Sequence, residues 1–106
     1  MPRFLIQGTF TPDGLRGLIK EGGSGRVDAV RKMAESVGGH MESFDFCFGD
    51  NDTYVICDLP DNQAATAVAL AVGASGGATT KTVALLSPAE VDRAVRQTVD
   101  YRAPGA

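Results

Sequence analysis

The feature that most constrains this chain is a pair of alternating runs on either side of Gly49 Asp50 Asn51 Asp52. Residues 42–48 read Glu Ser Phe Asp Phe Cys Phe, and residues 53–59 read Thr Tyr Val Ile Cys Asp Leu. Both have the period of a β-strand, and the four residues between them turn readily, so a hairpin is expected. With those four as the loop, Phe48 faces Thr53, Phe46 faces Val55 and Phe44 faces Cys57. One face is then apolar. The other carries Met41, Ser43, Asp45, Cys47, Tyr54, Ile56 and Asp58, a mixture of apolar groups, carboxylates and a phenol that suits a wetted or functional surface.

The flanking segments supply the remaining elements. Residues 3–10 alternate as a first strand, with Phe4, Ile6 and Phe10 on one side and Leu5, Gln7 and Thr9 on the other. Thr11 Pro12 Asp13 is a helix start, because a threonine hydroxyl caps, proline suits the first turn and aspartate suits the positive dipole end. Leu15, Leu18 and Ile19 give that helix an apolar stripe. Gly22 Gly23 Ser24 Gly25 interrupts it; lacking a phosphate-loop pattern, the stretch reads as a break with Ser24 capping a second segment. In that segment Val27, Val30, Met33, Ala34 and Val37 recur at helical spacing, while Arg26, Asp28, Arg31, Lys32 and Glu35 are assigned to solvent. Gly38 Gly39 ends the helix.

His40 opens the second strand, and alternation sets it on the face of Phe44 and Phe46. After the hairpin, Pro60 Asp61 Asn62 starts an alanine-rich helix over about residues 63–72, whose small side chains allow close approach to a sheet. Residues 79–86 form the fourth strand, and Ser87 Pro88 Ala89 Glu90 is a capping box that starts a last helix with Val91, Ala94 and Val95 on its apolar side. Residues 1–100 are read as one domain and 101–106 as a frayed tail.

Composition excludes several functions. A 106-residue chain, 43% hydrophobic, holds one small core. A formal charge of -3 with scattered Arg and Lys argues against nucleic-acid binding, and no apolar run approaches the ~20 residues that span a bilayer, so a cytoplasmic protein without membrane partners is expected. In the hairpin register above, Cys47 and Cys57 point to opposite faces, so two free thiols are expected. The only histidine has no partner at metal-ligand spacing, so no metal or other cofactor is expected.

Strand, helix, strand, strand, helix, strand, helix is an α+β, ferredoxin-like βαββαβ arrangement: a four-stranded antiparallel sheet, helices on one face, and an extra C-terminal helix. The other sheet face, with Leu5, Met41, Tyr54 and Ile56, would be an exposed apolar patch, and a face-to-face homodimer or higher oligomer would cover it. Several segments carry a resemblance. Residues 4–15, the Phe46 Cys47 Phe48 Gly49 Asp50 Asn51 Asp52 Thr53 Tyr54 segment, Asp58 Leu59 Pro60 Asp61 Asn62, and Leu85 Leu86 Ser87 Pro88 Ala89 Glu90 resemble the GYD-domain family of small bacterial proteins. The likeness spans about residues 3–95. Gly49 and Asp52 are kept, and Asn51 stands at the tyrosine position of the motif. The resemblance implies a dimeric α/β-barrel type of fold, a superfamily that includes cofactor-independent monooxygenases and isomerases, but the family implies no established activity of its own.

Two functional readings follow. In the first, a homo-oligomer handles a small organic molecule in a pocket between sheet and helices, as a cofactor-independent oxidoreductase or isomerase. His40 is then the first acid or base, Asp45 or Tyr54 orients or donates a proton, Asp50 and Asp52 stand at the pocket mouth, and Gln7, Phe44 and Phe46 contact the ligand. In the second, the protein is a noncatalytic binder or a structural or accessory oligomeric subunit, its phenylalanines are core and its Gly Asp Asn Asp loop is only a turn.

Overall fold

The computed structural model describes residues 1–106. The elements in chain order are β1 (Arg3–Phe10), α1 (Pro12–Ser36), β2 (His40–Phe46), β3 (Thr53–Asp58), α2 (Asn62–Ser75), β4 (Ala78–Leu85) and α3 (Pro88–Val95). The four strands form one antiparallel sheet in the order β2-β3-β1-β4, so β1 and β3 are central. Helix α1 lies over β2 and β1, and α2 over β4. This is the ferredoxin-like α+β arrangement with both long helices on one sheet face.

The core follows from alternation on the two central strands. Phe4 and Ile6 of β1 and Val55 and Cys57 of β3 point to the helices, where Ala34 of α1 and Ala65 and Val68 of α2 meet them. Leu59, just beyond β3, is fully buried. Removing a side chain of this size from water contributes about 1.5–3 kcal/mol. Both loop-to-helix joints are built locally. Thr11 accepts from the Gly14 amide at 3.1 Å and Asp61 from the Ala64 amide at 2.8 Å, each satisfying a donor that the first helical turn leaves free.

The hairpin differs from its expected register by two residues. Pairing ends at Phe46 opposite Thr53, with Phe44 opposite Val55, so the connection is longer than four residues and Phe48 stands at its tip, fully exposed. The connection is set by a tie to β1: the Asp52 amide donates to the Gly8 carbonyl at 2.8 Å, and the Asp52 carboxylate accepts from the Phe10 amide at 2.9 Å. A second departure is an irregularity between Met41 and Ser43 that leaves Glu42 as an extra residue. Strict alternation would aim Glu42 at the core and Met41 at the open face. The bulge reverses this: Met41 pairs with Cys57 and is buried, His40 pairs with Asp58 and is exposed, and the Glu42 carboxylate takes two hydrogen bonds from Arg3 at 3.0 and 3.2 Å.

Helix α1 is continuous except at Gly22, whose φ of 78° and ψ of 168° bend it. Only the half after the bend packs on the sheet. Leu15 and Ile19, expected to form a buried stripe, are exposed. Helix α3 has the expected capping box, with Ser87 and Glu90 bonded reciprocally at 3.1 Å, yet none of its residues is buried. Leu86, Val91, Val95, Val99 and Tyr101 all remain in water, and the chain measures 57 Å along its longest axis. No helix is long and apolar enough to cross a membrane.

Candidate functional site

The two faces of the sheet separate the expected site residues into groups. On the helix side, the bend in α1 leaves a gap that the small side chains of α2 and β4 do not fill. A cavity of about 250 Å³ results, walled by Ile6, Val30, Met33, Phe44, Val55 and Val72, with Ala29, Ala71 and Ala78 lowering the wall and Gly14 and Gly77 at one end. Ligand pockets run from about 300 to 1,000 Å³, so this one suits a small guest, on the order of ten non-hydrogen atoms. Phe44 is therefore a wall residue. Phe46 lies next to it, with ring centroids 5.0 Å apart and planes tilted by 52°, and it is partly exposed beside Gly23 rather than in the wall.

The open face holds the other polar candidates in cross-strand rows. Lys81, Gln7, Tyr54 and Asp45 form one row, from β4 across β1 and β3 to β2. Val83, Leu5, Ile56 and Ser43 form the next, and Leu85, Arg3, Asp58 and His40 the last. Tyr54, Asp45 and Gln7 are thus neighbours. His40 is four residues away along the strand direction, roughly 13 Å. It lies on the face opposite Phe44, which corrects its expected placement. His40, Tyr54 and Asp45 all lie across the sheet from the cavity, so within one chain they cannot reach a molecule inside it.

In the Gly Asp Asn Asp loop, Asn51 and Asp52 use their side chains on the protein itself. Asp52 caps β1 through the Phe10 amide. Asn51 is buried; its carbonyl oxygen is 3.5 Å from the Thr9 hydroxyl and its amide 3.4 Å from the Tyr54 hydroxyl. Asp50 is exposed and offers its backbone carbonyl to Thr9 at 3.4 Å. The loop therefore pins Tyr54 and the start of β3 to β1, and Asp52 bonds β1 and does not line the cavity. Asn51 fills an interior polar niche.

Both thiols are free. Burial, with a smaller contribution from the Asp58 carboxylate, pushes the Cys57 thiol up to about 11, which keeps it neutral and unreactive. Cys47 is half-buried and its Sγ donates to the Asn51 carbonyl at 3.1 Å.

A cavity-lining residue that the sequence reading missed is Arg26. Assigned to solvent by residue type, it lines the cavity and is the only charged residue that does. Its spacing carried the signal: Arg26, Ala29, Val30 and Met33 stand at i, i+3, i+4 and i+7, one face of a helix. Thr53 and Thr80, opposite it on the sheet, add hydroxyls to the wall. No three His, Cys, Asp or Glu side chains converge as a metal site would need.

Comparisons with known proteins give a family and no named relative. No curated protein and no solved structure matches the chain significantly. The GYD domain family matches residues 4–95, from β1 to the end of α3, and on that match the chain belongs to the GYD-domain family.

Proposed function

We propose that this protein is a self-associating carrier or sequestering protein for a small, largely apolar organic molecule, bound in the cavity between α1, α2 and the sheet. The observation that carries the reading is the cavity itself, lined by residues from α1, α2 and all four strands in a core that would otherwise close-pack. Binding is favoured over catalysis because the wall offers neither imidazole, thiol nor carboxylate; oxidoreductase or isomerase chemistry using His40, Tyr54 and Asp45 would need a second site on the open face.

Self-association is supported by the two apolar surfaces the chain leaves in water. The middle row of the open face is mostly apolar and is flanked by polar rows, the layout of an interface with a dry centre and a wet rim. Lys81 and Asp45 at opposite edges of one row give two antiparallel copies complementary charges. Area decides how much more is needed. Four strands about 4.8 Å apart and about seven residues long project roughly 440 Å² per copy, near 900 Å² for a pair. That falls short of the ~1,200–2,000 Å² of a stable interface. Docking α3 with Leu86, Val91 and Val95 on the second copy would supply the remainder.

The test is thermal melting of the protein against a panel of small apolar compounds, with its mass in solution measured in parallel. A ligand at 100 times its dissociation constant stabilises by about 2.7 kcal/mol. Compounds that raise Tm in the wild type should fail to do so in Ala29→Leu, which fills the cavity. A panel that shifts nothing, or shifts both proteins alike, rejects the cavity as the site.

A further inference from the structure

The cavity is apolar on nearly every side but not electrically neutral. Arg26 is the one charged residue in its wall, and it stands in the first turn after the Gly22 bend, where the helix dipole is also positive. About a third of the Arg26 side chain is exposed, so its charge is only partly removed from water. Glu21 supplies part of the compensation, with Oε1 3.3 Å from Arg26 Nε, but the geometry is not that of a hydrogen bond and Nε is buried without one. The two Nη groups have no partner among the protein's ion pairs. A guanidinium has five donors in a planar fork, so Glu21 on the Nε side leaves the other edge for a second carboxylate. Across the cavity, Thr53 is buried and its hydroxyl is unused by the protein, and a Cβ at Gly8 would come within 2.5 Å of that Oγ1, so glycine there keeps the hydroxyl in place.

We infer that the cavity takes a small apolar monocarboxylate, with its hydrocarbon part between the helices and the sheet and its carboxylate on the free edge of the Arg26 guanidinium. The inference rests on the reading of the cavity as the ligand site and adds the chemical class of the ligand. One carboxylate fits the one edge of the guanidinium that Glu21 leaves free. A dianionic phosphate would bring more charge and more acceptors than this wall satisfies. The alkyl or aryl part is limited to the order of ten non-hydrogen atoms by the volume.

The experiment is calorimetric titration at pH 7 with octanoate and with 1-octanol, which share a tail and differ in the head. A charge-assisted hydrogen bond to Arg26 should make octanoate bind on the order of 10- to 100-fold more tightly than octanol in the wild type. Arg26→Gln should abolish that preference, bringing the two affinities within a few-fold of each other, and Arg26→Lys should recover part of it. Equal affinities in the wild type, a comparison that needs no variant, overturn the carboxylate inference but leave the cavity reading standing. A preference that survives in Arg26→Gln overturns the role of Arg26. Failure of both probes to bind overturns the inference together with the reading beneath it.

Discussion

Gly14→Ala and Gly17→Ala are the same change three residues apart on α1, and the structure gives them opposite signs. A Cβ at Gly17 meets nothing within 4 Å. There the substitution acts through helix propensity and should stabilise by up to about 1 kcal/mol. A Cβ at Gly14 would overlap the carbonyl oxygen of Gly77, a backbone atom in the α2–β4 connection that cannot rotate away. The start of α1 would have to retreat, straining two hydrogen bonds that join these segments: Thr11 amide to Gly77 carbonyl at 3.0 Å and Thr11 hydroxyl to Gly76 carbonyl at 2.7 Å. Overpacking costs about 1–3 kcal/mol and each lost bond about 0.5–1.5 kcal/mol. After the gain in propensity, Gly14→Ala should destabilise by roughly 2–4 kcal/mol. Urea denaturation of both variants at one protein concentration measures the difference through the midpoints. Gly14→Ala as stable as Gly17→Ala would refute the close approach of α1 to the α2–β4 connection, and with it the end wall of the cavity.

Further outcomes follow from other parts of the molecule. Ile56→Asp, in the middle of the open face, should reduce the mass measured by light scattering to that of one chain while the far-ultraviolet circular dichroism stays that of a folded protein. Ser87→Ala removes the capping box of α3, a change of about 0.5–2 kcal/mol in that helix; because α3 is exposed in the single chain, the loss should appear as weaker self-association in sedimentation rather than as a lower stability of the isolated domain. The Cys57 thiol, raised from its ordinary value near 9 to about 11, is deprotonated first in the unfolded chain. Stability should therefore be level with respect to this group below pH 9 and fall as pH rises from 9 toward 11, a decline that Cys57→Val should lessen in denaturant melts across that range. In thiol labelling at pH 8, Cys47 should react well before Cys57, whose modification should wait for unfolding.

What could be read from the sequence was what local physics determines. The order of elements, the Ser87 capping box, the Thr11 and Asp61 caps and the inward faces of β1 and β3 follow from period and cap chemistry, and all are present. The hairpin register could not be read that way, because it is fixed by Asp52 reaching Phe10 and Gly8 on another strand, not by the turn residues alone. The bulge at Glu42 was hidden for a related reason. Alternation gives no cue to an extra residue, yet burying Met41 instead of a carboxylate favours one, and it moved His40 to the other face. Of the candidate site residues, Phe44 was legible as a period-two core residue that turned out to border a void. Arg26 was overlooked because its charge was weighed above its helical position.

The most direct test of the central claim, that the cavity is where a small organic molecule binds, uses the three methionines as reporters. Met33 lies in the cavity wall, Met41 in the core beneath β2 and Met1 at the exposed terminus. In protein carrying ¹³C-labelled methionine methyl groups, titration with 1-octanol should shift the Met33 resonance saturably while Met1 stays fixed. A Met33 resonance that does not move, or that drifts in proportion to Met1 without saturating, would contradict the account.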